Sequence, residues 1–100
     1  FVFVSGTTPL DMVNGKIIHG DIDTQTDASL NAVRLCLEAA GTSFDNVVMV
    51  RVYASNSGFY NAINRVYQRH FPDNFPSRTF VPVSGWPMEF DIEIEMMALA

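Results

Sequence analysis

FPSRTFVPVSGWPMEFDIEIEMMALA, residues Phe75 to Ala100, reads as two strands and a turn. Val81 and Val83 share one face of the first strand with Thr79, and alternation turns Arg78 and Phe80 to the other. From Phe90 the alternation is strict: Phe90, Ile92, Ile94 and Met96 face one way, Asp91, Glu93 and Glu95 the opposite way. Ser84-Gly85-Trp86-Pro87 supplies the loop. Side-by-side pairing of these strands would gather one guanidinium and two or three carboxylates at one end of a sheet; the sequence does not fix that pairing. Pattern alone favours a plainer reading. An acidic row alternating with an apolar one marks a strand with one solvated face, and a strand arginine is ordinarily a cross-strand ion-pair partner.

Upstream, Val47 to Ala54 (VVMVRVYA) is a strand apolar on both faces, and Phe1 to Val4 (FVFV) reads as a buried strand closed by Ser5-Gly6. Asn14-Gly15 is the strongest hairpin signal, allowing Lys16 to His19 to pair back as a short strand. A first helix is expected over Asp21 to Ala40, with Asp21 or Thr24 as its cap and Leu30, Val33, Leu37 and Ala40 as its apolar stripe, before Gly41. A second runs from Phe59 through Ile63, Val66, Tyr67 and His70 until Pro72 stops it. The order strand, short strand, helix, strand, helix, strand, strand predicts an α+β fold, a mixed sheet with two helices on one face. Two helices cover only one face. Strands apolar on both sides therefore call for another copy of the chain to bury the second face.

One hundred residues make one domain, 1–100. Because the chain opens abruptly on a strand, the intact protein is expected to have residues, including a strand, before Phe1. With net charge −5 and six scattered basic residues, nucleic acid is an unsuitable partner. No apolar run approaches the roughly 20 residues of a membrane helix, so no membrane partner is expected. The single cysteine, Cys36, lies beside the helical stripe with no positive charge adjacent, suits a small core residue, and is compatible with a reducing cytoplasm. His19 and His70 stand at no metal-ligand spacing, and no phosphate-cradling glycine loop occurs, so no metal and no cofactor are expected.

Pro76-Ser77-Arg78 and Ile92-Glu93-Ile94-Glu95, together with Ser5-Gly6-Thr7-Thr8-Pro9 and Asn64-Arg65-Val66-Tyr67, resemble in order and spacing the motifs of the reactive-intermediate deaminase family, RidA or YjgF. The resemblance implies a chorismate-mutase-like domain assembled as a homotrimer, with a small carboxylate-bearing substrate in a cleft at each subunit interface. It also implies hydrolysis of the enamines and imines released by pyridoxal-phosphate dehydratases to 2-keto acids and ammonia. By position, Arg78 matches the substrate-carboxylate arginine, Glu93 the first glutamate of the Glu-Ile-Glu run, Gly6 the cleft glycine and Asn64 the asparagine of the second helix. Phe80 stands where many members carry a cysteine. The family's tyrosine before the first strand would precede Phe1, and Ser84 to Pro87 departs from the usual leucine-proline-lysine loop. Phe80 and Trp86 are expected to form an apolar wall. Names in the family that mention ribonuclease suit this acidic chain less well. Two functions stay open on these motifs, an imine deaminase and a non-catalytic 2-keto acid-binding module, since both use Arg78.

Overall fold

A computed structural model describes the whole chain, Phe1–Ala100. Six strands and two helices follow in the order β1 (Val2–Thr7), β2 (Leu10–Asp11), β3 (Lys16–Ile17), α1 (Ile22–Ala39), β4 (Val47–Ala54), α2 (Tyr60–His70), β5 (Ser77–Pro82) and β6 (Ile92–Ala98). The main sheet has strand order β1-β6-β4-β5, with β4 and β5 parallel and the other pairs antiparallel. Both helices lie on one face of this mixed sheet, so the α+β architecture expected from the sequence is the one found.

Alternation on β6 sorts as expected. Ile92, Ile94, Met96 and Ala98 are buried under the helices, where they meet Val50, Val52 and Ala54 of β4 and Leu30, Val33, Leu37, Ile63 and Val66 of the helices. Asp21 is the cap of α1, its carboxylate accepting from the Thr24 amide at 2.8 Å. Gly41 turns the chain out of that helix at φ +83°, a conformation only glycine adopts cheaply. Ala40, expected in the stripe, is exposed because the helix has already ended. His70 joins α2 to α1, with Nε2 2.9 Å from Asp27 Oδ1.

Two expectations are corrected, and a strand pairing that the sequence left open is resolved. β1 continues through Ser5 and Gly6 to Thr7, with a shift in register between Val4 and Thr7, and it is only half-buried: Phe1 and Phe3 are each 72% exposed. The Asn14-Gly15 turn pairs Lys16–Ile17 with Leu10–Asp11, a strand hidden in sequence by its length of two residues. Most consequentially, β5 and β6 are not neighbours. A parallel pair needs a crossover, and α2 supplies it, laying β5 outside β4 while β6 takes the opposite edge of β4. The loop between them passes across the end of β4, where Val83 donates to Ala54 O at 2.8 Å and Ser55 to Asp91 O at 3.0 Å. Buried Gln25 fastens that loop to α1, giving a hydrogen bond to Asp91 Oδ2 and receiving one from its amide.

Candidate functional site

The residues singled out from the sequence fall into two groups on opposite faces of the sheet. Arg78 pairs with Val50 and Phe80 with Val52, so both side chains lie on the helix face. There α2 presents Tyr60, Asn64 and Tyr67, spaced four and three apart along one stripe. The Arg78 guanidinium carbon sits 4.9 Å from the Tyr67 ring centroid and 5.7 Å from that of Tyr60, a cation held between two aromatic faces. Phe80 meets Tyr60 edge-on at 5.1 Å. Three polar atoms of this group, Arg78 Nη1, Asn64 Oδ1 and Tyr67 Oη, are buried without a hydrogen-bond partner. Arginine supplies only donors, the amide oxygen only acceptors, and the phenol both, so the group is equipped for a polar ligand or for bonds among its own members. Burial pushes the Tyr67 hydroxyl up to about 12 against the pull of Arg78, which keeps it neutral and able to donate.

Gly6 and Glu93 form the second group, on the uncovered face. Glu93 pairs with Tyr53. A Cβ placed on Gly6 would overlap the Glu93 carboxylate and lie 3.3 Å from its Cδ, so glycine here leaves the space that the carboxylate occupies. Desolvation first, and then the charge of Glu95, raise the Glu93 carboxyl above its ordinary value. Glu95 is held the other way. It accepts a short hydrogen bond from the Tyr53 hydroxyl and another from Arg51 Nη1 at 3.0 Å, and these two donors keep it below the usual carboxylate range. Glu93 is thereby the better proton acceptor of the two at neutral pH, and Glu95 a fixed anion beside it. A depression of about 360 Å³ opens next to this group, lined by Phe3, Ser5, Met49, Arg51, Glu95 and Met97 among others.

Arg78 and Glu93 are thus separated by β4 and by the thickness of the sheet, and they form no ion pair. The cross-strand ion pair that does exist is Arg51–Glu95. Glu95 was placed on the acidic face of its strand by the sequence, but its partners Arg51 and Tyr53 were missed, although both alternate onto the face opposite Val50 and Val52. Tyr67 was read only as a residue of the second helix and of the Asn64 to Tyr67 motif, with no role of its own. Trp86 lies against Phe90, the ring centroids 4.8 Å apart and the planes tilted by 33°, beside a hollow lined by His19, Gln25, Ser55 and Asp91, so its aromatic partner differs from that of Phe80. Three or more His, Cys, Asp or Glu side chains are nowhere gathered as a metal would need, and no helix is long and apolar enough to cross a membrane.

A chain of this sheet order bearing these motifs belongs to the Endoribonuclease L-PSP family, whose model matches residues 1–100. The RidA/YjgF resemblance of the motifs is therefore a family relationship. Over 98 residues the chain is 39% identical to a RutC family protein of Pyrococcus horikoshii, spanning 98% of this chain and 78% of that one. It is 31% identical over 98 residues to the human 2-iminobutanoate/2-iminopropanoate deaminase, spanning 98% and 72%. Among solved structures, E. coli TdcF with bound serine superposes with TM-score 0.89 at 30% identity, covering 98% of this chain and 79% of that chain.

Proposed function

We propose that this protein is an imine deaminase that hydrolyses small 2-imino acids to 2-keto acids and ammonia in the cytoplasm. The observation that carries the reading is Arg78, a planar cation clasped by two tyrosine rings with polar atoms beside it in need of partners. A guanidinium receives a carboxylate through two parallel N–H donors, which fixes the neighbouring C=N carbon in place. Water adds to that carbon while the acceptor Glu93 takes one of its protons and passes it to the nitrogen, giving a carbinolamine; Glu93 then carries the remaining hydroxyl proton to the amine as the C–N bond breaks, so that ammonia leaves and the carbon becomes a ketone. No metal or organic cofactor is needed for this step.

Because Arg78 and Glu93 lie on opposite faces of one chain, the reading requires two copies. Arg78 on the edge strand β5 of one meets Gly6 and Glu93 on the uncovered face of another, in a closed homotrimer with three such clefts. The exposed Phe1, Phe3 and Val48 support burial of that face. The separation of Arg78 from Glu93 also favours a second reading, a module that binds 2-keto acids through Arg78 without turnover. Adding the purified protein to a serine or threonine dehydratase reaction separates the two. Faster appearance of ammonia and keto acid supports the deaminase, and an unchanged rate with measurable keto-acid binding leaves the binding module.

A further inference from the structure

Tyr67 is the side chain of this region that packing does not explain. Its ring lies 4.7 Å from that of Phe71, nearly parallel at 20°, and phenylalanine would fill that space as well. The hydroxyl adds only a buried polar atom with no partner, which costs stability unless it is used in another state of the protein. On its other side the ring carries the Arg78 guanidinium at 4.9 Å, and Arg78 Nη1 is likewise buried and unpartnered. One atom can donate, the other can accept, and the two residues already touch.

We propose that Tyr67 is the positioning residue for Arg78: its ring sets the plane of the guanidinium, and its hydroxyl accepts a hydrogen bond from the buried edge of that group when an anion occupies the outer edge. The inference rests on the reading of Arg78 as the anchor of a carboxylate. A guanidinium bonded on its inner edge has fewer orientations to lose on binding, so Tyr67 acts on ligand affinity through Arg78 and does not itself contact the ligand. The cost of the unpartnered hydroxyl in the free protein is the counterpart of that gain.

The test compares Tyr67→Phe, which keeps the ring and removes the hydroxyl, with Tyr67→Leu, which removes both. Two readouts are taken on full-length protein: calorimetric affinity for 2-oxobutanoate, and rotation of the Arg78 guanidinium in the unliganded, ¹⁵N-arginine-labelled protein, its signal assigned with Arg78→Lys. Tyr67→Phe is expected to bind 2-oxobutanoate about 10-fold more weakly, the loss of one hydrogen bond, with a Tm equal to or above wild type. Tyr67→Leu is expected to bind more weakly still and to let the guanidinium rotate freely. Wild-type affinity in Tyr67→Phe, or a guanidinium no more mobile in Tyr67→Leu, overturns the inference. Failure of wild-type protein to bind 2-oxobutanoate, or full binding by Arg78→Ala, instead overturns the anchor role of Arg78, and the rotation measurement then decides alone whether Tyr67 positions it.

Discussion

Gly6 shows how one missing side chain sets a site. Gly6→Ala puts a methyl group into the space of the Glu93 carboxylate, the far end of a side chain that can swing away. Stability is expected to stay within about 1 kcal/mol of wild type, since alanine also restricts the unfolded chain. Turnover is expected to fall about 10- to 100-fold, the effect of displacing a reacting group by an ångström or so. Melting temperature and ammonia release measured on the same sample check the pair. Glu95→Gln removes the neighbouring anion that helps raise the Glu93 carboxyl. Glu93 then ionises more readily, and the acid limb of the pH–rate profile is expected to move to lower pH; a limb that stays in place or moves upward contradicts the acceptor role. Tyr67 gives the alkaline counterpart. Because burial disfavours its ionised form, stability holds below the ordinary 10.0 and falls as pH rises through about 12, so Tyr67→Phe is expected to flatten the fall in Tm over that window. Phe80, edge-on to Tyr60, crowds the region around Arg78. Phe80→Cys is expected to shift relative rates toward the smallest imines, read across a substrate series.

Among the elements, β6 repays attention because it is the inner strand joining β1 to β4. Ile94→Ala, fully buried in the core on a strand packed against α1, is expected to cost about 2 to 5 kcal/mol, measured by denaturant unfolding. The core side of β6 was legible because a period of two over Phe90 to Met96 permits only one assignment of faces. The helices were legible from Asp21, Gly41 and Pro72, residues whose backbone chemistry acts locally. The order of strands was not. Nothing in Ser84 to Asp91 reveals that the loop crosses the end of β4, because that depends on α2 having already placed β5 beyond it. For the same reason Arg78 and Glu93 were identified one by one, while their placement on opposite faces was hidden. Arg51 and Tyr53 were overlooked because β4 read as apolar on both sides, and a single arginine did not announce a partner on a strand 44 residues away.

At the scale of the whole molecule, the uncovered face carries Phe1 and Phe3 in contact with each other beside Met49 and Met97, next to the Glu93 group. A surface that is apolar at one end and acidic at the other suits a second copy bringing the edge strand β5 and its arginine. Static light scattering at micromolar concentration is expected to give a trimer; a lasting monomer of 11.1 kDa would leave each half-site alone. The most direct test mixes two variants that should each be inactive, Arg78→Ala and Glu93→Gln, refolded together so that copies exchange. If every cleft takes its arginine from one copy and its glutamate from the next, an equal mixture regains about one quarter of wild-type ammonia release, the random chance that an intact arginine faces an intact glutamate. Mixed oligomers that remain inactive would contradict the shared site.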